Sequence, residues 1–228
     1  MKRILALALV CIMTLGFAAC GEDIHAKSEG VMTYEEYAAA ELNDEVTVEC
    51  FVQAHQSWWD NKITVYAQDK DGAYFLYEMA CTEEDAAKLE PGTKIRVKGH
   101  KGEWQGEIEI MDATFEILEG TWTAEPTDVT ALLGKDELID HQNKLVSFTG
   151  MTVEAVEYKN GEPGDDIYLT LSKDGKSYSF CVEVYLTGTD SAVYATVGEL
   201  KVGDTVDVEG FLYWYQGANP HVTSITVK

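Results

Sequence analysis

The strongest constraint on this chain is that it says one thing twice. Residues 89–99 read Leu-Glu-Pro-Gly-Thr-Lys-Ile-Arg-Val-Lys-Gly, and residues 200–210 read Leu-Lys-Val-Gly-Asp-Thr-Val-Asp-Val-Glu-Gly. Leu, Gly, a β-branched residue, Val and Gly recur at the same offsets, 111 residues apart. At that spacing Trp104-Gln105-Gly106 answers Tyr215-Gln216-Gly217. Self-similarity of this kind means two copies of one domain rather than one large fold. Neither copy carries a recognisable catalytic motif, so architecture is more legible here than chemistry.

The N-terminus predicts an address. Lys2 and Arg3 precede an apolar stretch, Ile4 to Ala19, ending in Phe17-Ala18-Ala19-Cys20. A basic start, a brief apolar core and small residues before a cut site describe a secretory signal. The stretch is shorter than the ~20 residues a spanning helix needs. Small residues directly before a Cys resemble the lipobox of bacterial lipoproteins, in which the Cys is lipidated; Phe17 departs from the pattern, where Leu is commoner. That resemblance implies a signal over 1–19, an acylated Cys20, and a protein held on the outer side of the cell membrane. Residues 20–31 then read as a polar tether with nothing to pack.

Charge narrows the partners. The formal net charge is −23, and losing Lys2 and Arg3 with the leader would make it −25. Such a field repels polyanions, whereas nucleic-acid binding calls for a basic patch that displaces counterions. The densest basic cluster, Lys94, Arg96, Lys98, His100 and Lys101, alternates along one expected strand and reads as its solvated face. A hydrophobic content of 46%, with 5 Trp, 12 Tyr and 7 Phe, is ample for two cores. After Cys20 the thiols are Cys50, Cys81 and Cys181. A Cys50–Cys81 bridge is compatible with export, but buried free thiols are favoured, and no spacing suggests zinc.

The periodicity is the same in both halves. Thr33 and Glu36 make a capping box at a short helix. Val46, Val48, Cys50 and Val52 alternate with Thr47, Glu49 and Phe51, the period of a half-buried strand. Ile63–Gln68 and Tyr74–Met79 flank an Asp71-Gly72 hairpin turn, for which positive φ is expected. A helix capped by Thr82 ends at Pro91-Gly92, and strands follow at 94–98 and 107–117. In the second half the strands are 145–152, 167–171, 178–185, 205–213 and 221–227, with a hairpin at Asp174-Gly175 and a helix over 190–200. Three strands, a helix and two strands is the order of an OB-fold, a five-stranded Greek-key barrel. The expected fold is thus mainly β: two tandem OB-like barrels, 32–119 and 127–228, joined by a linker over 120–126. On the Gly92–Gly99 and Gly203–Gly210 runs and the opening strands Val46–Glu49 and Val146–Gly150, the chain resembles the tandem OB-fold modules of bacterial exported lipoproteins. Its strands are also similar to those of the tRNA-anticodon-binding type of OB domain. The resemblance implies a fold; OB barrels serve nucleic acids, sugars, proteins and small ligands alike.

Ligands of such barrels meet the face of strands two and three, rimmed by the loops joining strands 1–2 and 4–5. In the first repeat these loops hold Trp58, Trp59 and Asn61, and Trp104 and Gln105. Three Trp rings on one rim would suit stacking on sugars or bases, with Asn61 and Gln105 giving directed hydrogen bonds. The competing reading, which is favoured, has Trp58 or Trp59 plugging the barrel end and Trp104 packing a hairpin. The second repeat offers Trp214 and Tyr215. Asp69-Lys70-Asp71-Gly72 resembles part of a calcium loop but lacks its closing Glu, and its recurrence at Asp174-Gly175 fits a turn. No P-loop, dinucleotide fingerprint or G-x-S-x-G is present. The sequence therefore predicts a non-enzymatic binding or interaction module without cofactor or metal. Its ligand would be a neutral sugar, a small molecule or a protein; a structural subunit of an envelope complex is the alternative, and single-stranded nucleic acid the weakest.

Overall fold

The computed structural model describes residues 23–228; the expected signal and Cys20 lie outside them. Helix α1 (Tyr34–Ala39) opens on Thr33, whose hydroxyl and Glu36 form the reciprocal capping box. Strands β1 (Glu45–His55), β2 (Lys62–Gln68), β3 (Ala73–Ala80), β4 (Thr93–Trp104) and β5 (Glu107–Thr121) follow, with α2 (Glu83–Ala86) between β3 and β4. They close into a barrel in the order β1-β2-β3-β5-β4. The closing contact, β3 with β5, is parallel and short, pairing Phe75 with Glu109 and Leu76 with Ile110.

The second half contains β6 (Thr127–Asp128), two 3-10 turns, β7 (Leu145–Tyr158), β8 (Ile167–Lys173) and β9 (Lys176–Val182). Helices α3 (Val184–Thr187) and α4 (Ala192–Glu199) lead into β10 (Thr205–Phe211) and β11 (His221–Val227). These strands form a sheet ordered β10-β11-β9-β8-β7-β6, and β10 pairs with β7 as well. The β9–β11 contact, like β3–β5, is parallel. Each half has its own buried core, one around Val48, Leu76 and Ile95 and one around Phe148, Phe180 and Val206.

The repeated glycines have matching physical causes. Gly92 and Gly203 sit at φ 94° and 96°, the left-handed region that glycine enters at little cost. Their amides donate to Val52 and Val153 carbonyls at 2.7 and 2.9 Å. A Cβ on Gly99 would stand 2.7 Å from the Met111 carbonyl oxygen, and one on Gly210 would meet the His221 carbonyl.

Within the expected tether, His25 and Lys27 are held against the barrel although most of residues 23–31 are exposed. His25 sets its ring against Phe51 and Trp122, and Lys27 bridges the Glu49 carbonyl and the Asp69 carboxylate. This arm covers the outer face of β1, so Glu49 and Phe51 are each 1% exposed where a solvated face was expected. The basic cluster is largely spent inside the molecule. Arg96 grips Glu49 with Nε and Nη2 at 3.1 and 2.9 Å, and Lys94 stands 3.6 Å from the same carboxylate. Lys101 is buried and donates to the carbonyls of Tyr37, Ala38 and Ala40 at the end of α1. Among the described residues only Lys98 and His100 of that cluster are exposed. Burial alone would raise the Glu49 carboxyl, but hydrogen bonds from Ser28 and Arg96 and the Lys94 charge outweigh it and hold it low.

The two hairpins also differ. Asp174 and Gly175 adopt the expected positive φ, 52° and 75°. Asp71 and Gly72 do not; there Asp69 Oδ1 accepts the amides of Asp71 and Gly72, both at 2.8 Å. Gly72 is required because the Tyr34 ring occupies the space of a Cβ. Strand β9 ends at Val182, so Tyr185 belongs to α3 rather than to a strand. Cys50, Cys81 and Cys181 are free and buried, and burial pushes the Cys81 thiol up to about 11.

Candidate functional site

The outer face of β2–β3, where a ligand was expected, is covered by the second sheet. Tyr66 of β2 stacks on Phe211 of β10 with ring centroids 4.4 Å apart and planes 9° apart, and Phe75 packs on Tyr213 at 5.4 Å. Tyr66, Phe75 and Phe211 form a third buried cluster, flanked by Ala54, Leu145, Leu186 and Tyr213. Thr64, Tyr66 and Gln68, which alternation assigns to the outside of β2, are consequently buried. The seam satisfies its polar groups. The Tyr66 hydroxyl meets His221 Nδ1 at 2.8 Å, Gln68 Oε1 accepts the Leu145 amide at 2.9 Å, and Gln56 Nε2 donates to both oxygens of Glu183.

One carboxyl in the seam is under strain of another sort. Glu107 is fully buried; its Oε2 accepts the Trp214 amide at 2.8 Å and Gln142 Nε2 at 3.4 Å. Its Oε1 has no hydrogen-bond partner among the described residues. Burial pushes this carboxyl up to about 8, against the pull of those hydrogen bonds.

At one end the seam opens into a cleft of about 430 Å³. Its barrel wall is the β1–β2 loop: Trp59, Asp60 and Lys62 with Ser57, backed by Thr64 and Glu78. Its other wall is Tyr185 of α3. Trp59 is 80% exposed and Tyr185 63% exposed. Three contacts hold the two walls together. The Ser57 amide donates to the Tyr185 carbonyl at 2.7 Å, Ser57 Oγ reaches the same oxygen at 3.3 Å, and Gln56 clamps Glu183 two residues earlier. Val184, next in the chain, gives its amide to Asp166 Oδ1, which fixes the start of α3. Lys62 and Glu78 pair across the floor at 2.7 Å.

The expected site residues separate into three places. Trp58 is the plug: it packs against the barrel core and donates its indole N–H to the Cys81 carbonyl at 2.8 Å. Trp59, its neighbour, lines the cleft. Asn61, at φ 59°, accepts the Cys81 amide with its backbone carbonyl and lines two further grooves, one of which shares Asp60, Lys62 and Glu78 with the cleft. Trp104 and Gln105 sit at the tip of the β4–β5 hairpin, away from the cleft. There Trp104 packs on Tyr215 at 5.2 Å, and Gln105 pairs with Gln216. Trp214 packs into the second core. The three Trp of the first repeat do not converge on one rim. The sequence does not mark Tyr185 and Glu183, because alternation through Val182 and Val184 extends β9 past its true end; Gly188, at φ 77°, is the nearest mark of the break.

The described residues thus define a mainly β protein with a closed five-stranded barrel and a second sheet docked on its β2–β3 face. No model of a known protein family matches the sequence, and no curated protein does. Solved structures that overlay on it include asparaginyl-tRNA synthetase from Pyrococcus horikoshii complexed with asparaginyl-adenylate, at 22% identity and TM-score 0.30. That overlay spans 37% of this chain and 19% of the synthetase. A murine DNA-binding protein bound to double-stranded DNA overlays at 10% identity and TM-score 0.39, over 79% of this chain and 94% of that one. The p202 HIN1 domain in complex with a 12-mer double-stranded DNA gives 11% and 0.37, over 83% and 96%. Overlays this loose carry no function across.

Proposed function

We propose that this chain is a non-catalytic binding module built of two tandem OB-like barrels, exported and held at the bacterial cell membrane by a lipid on Cys20. The tandem reading is supported by the shared strand pairing, the parallel closing contact in each half, and glycines with the same role 111 residues apart. The anchor is supported by the Phe17-Ala-Ala-Cys20 run and the basic-apolar pattern before it. The observation that carries the binding reading is Trp59: a Trp 80% exposed at the mouth of a 430 Å³ cleft. Large rings exposed beside a concavity of ligand size mark binding sites.

The repeat-one loop rim binds through Trp59, with Trp58 holding the loop from beneath. A thermal-shift screen of residues 23–228 tests it, using neutral oligosaccharides, calcium with an EDTA control, and single-stranded oligonucleotides at two salt concentrations. A ligand at ~100 times its dissociation constant adds ~2.7 kcal/mol. A shift that Trp59→Ala abolishes is the expected result; a shift that Trp59→Ala leaves intact removes the loop rim as the site. Radiolabelled palmitate incorporation, lost in Cys20→Ser, tests the anchor. A structural role in an envelope complex is the alternative: it calls for a rigid contact between the halves with no open groove, and silence across the screen would move the reading there. Nucleic acid is disfavoured because Lys94, Arg96 and Lys101 are engaged internally.

A further inference from the structure

We infer that the cleft is a two-walled site in which Tyr185, from the second half of the chain, stacks on the ligand opposite Trp59, and that the ligand is a neutral saccharide. The inference rests on the loop-rim reading and adds to it a second wall and a ligand class.

The wall comes from geometry. Tyr185 and Trp59 line the same concavity from opposite sides of the seam, and both rings are mostly exposed. Its neighbour Leu186 turns into the seam. Exposure of Tyr185 is therefore not a by-product of a loose segment. Its backbone is fixed by Ser57, and the residues before it are fixed by Gln56 and Asp166. A ring held outward by a rigid backbone beside a second outward ring is pre-organised for stacking.

The ligand class comes from the rim. The same cleft is lined by Asp60, whose side chain makes no hydrogen bond among the described residues, and by the Lys62–Glu78 pair, each about half exposed. Donor and acceptor thus lie side by side, the pairing that hydroxyls need, since each hydroxyl both gives and accepts. Two carboxylates against one ammonium leave no excess positive charge for a phosphate or sulfate, and a chain at −23 repels anions at range. A neutral, flat-faced, hydroxyl-rich ligand fits both walls and rim, and 430 Å³ lies within the ~300–1,000 Å³ of small-molecule sites.

The test titrates residues 23–228 and the variants Trp59→Ala, Tyr185→Ala and Tyr185→Phe by calorimetry and Trp fluorescence. The probes are neutral oligosaccharides of glucose, mannose, galactose or N-acetylglucosamine, with tetramethylammonium and a sulfated oligosaccharide as contrasts. Truncating Tyr185 leaves its backbone bond to Ser57 intact, and thermal midpoints check that each variant folds. A neutral oligosaccharide is expected to bind, weakened about tenfold or more by either Ala variant and little changed by Tyr185→Phe. Loss with Trp59→Ala alone overturns the two-walled site and leaves the loop rim standing. Binding untouched by both overturns the rim as well. Binding of only the ammonium or the sulfated probe overturns the saccharide class. Silence with every probe overturns the inference and turns the loop-rim reading toward a protein partner.

Discussion

Gln105 and Gln216, which occupy the same position in the two repeats, bind each other. The Gln216 amide donates to the Gln105 carbonyl at 2.8 Å, and their side-chain amides meet at 2.8 Å. The neighbouring equivalents Trp104 and Tyr215 pack ring to ring at 5.2 Å. A motif that reads as two separate ligand rims is thus a lock, in which one hairpin tip grips its own copy. The equivalence is local, since elsewhere the seam sets the β2–β3 face against β10 and β11. Because the Gln side chains are exposed, their bond is worth only about 0.5–1 kcal/mol. Gln105→Ala and Gln216→Ala should each cost about that much in urea unfolding, and the double variant little more. Full additivity would mean that the side chains contribute independently.

Glu107 makes stability depend on pH. Its carboxyl titrates near 8 in the fold against an ordinary 4.5, so the folded state holds a proton that the unfolded chain gives up earlier. Stability is complete below about 4.5 and falls as pH rises through 8, by up to roughly 4–5 kcal/mol. Glu49, held low, acts in the opposite sense: its contribution is lost as pH falls through its depressed value. Denaturation midpoints should therefore peak in mildly acidic buffer. Glu107→Gln should flatten the alkaline limb and be more stable than the natural protein at pH 8. A limb unchanged by that substitution would assign the dependence elsewhere.

Gly72 gives way to Tyr34. Since the ring fills the place of a Cβ, Gly72→Ala should destabilise by about 1–3 kcal/mol, the usual scale of overpacking. In a Tyr34→Ala background the same change should cost much less. Equal costs in both backgrounds would point to the backbone instead of the ring.

What the sequence reveals and what it hides divide along the seam. Strand order, the capping box at Thr33, and the glycines of 92–99 and 203–210 are local, and local chemistry states them. Tyr66, Phe75 and Phe211 also read correctly as strand residues. Their burial on the outer face does not follow, because alternation describes one sheet and cannot announce a second body lying on it. Glu49 and Asp69 show the same limit. As an acid on a strand face and an acid at a turn they say nothing of each other; with Lys27 folded over them they are part of one buried ion cluster. Tyr185 was hidden because a hydrophobic alternation outlasts the strand that generates it.

Lys27 should prove structural. Breaking a buried ion pair from one side costs more than the pair is worth, because a buried charge is left uncompensated. Asp69 is 1% exposed, and Lys27 is the only cation among the described residues that it pairs with. Lys27→Met should destabilise by about 2–4 kcal/mol in guanidinium unfolding, and Asp69→Asn should return part of that loss in the double variant. A cost under about 0.5 kcal/mol would show that the arm is dispensable.

The adjacent residues Trp58 and Trp59 should behave as opposites. Trp58 packs on the core and its indole N–H is bonded to the Cys81 carbonyl, so Trp58→Ala leaves a cavity and an orphaned acceptor. A loss of about 3–5 kcal/mol is expected. Trp59 touches little and is 80% exposed, so Trp59→Ala should move stability by less than about 0.5 kcal/mol. If Trp59→Ala instead unfolds the protein as Trp58→Ala does, both rings are plugs, and the cleft loses the feature that marks it as a site.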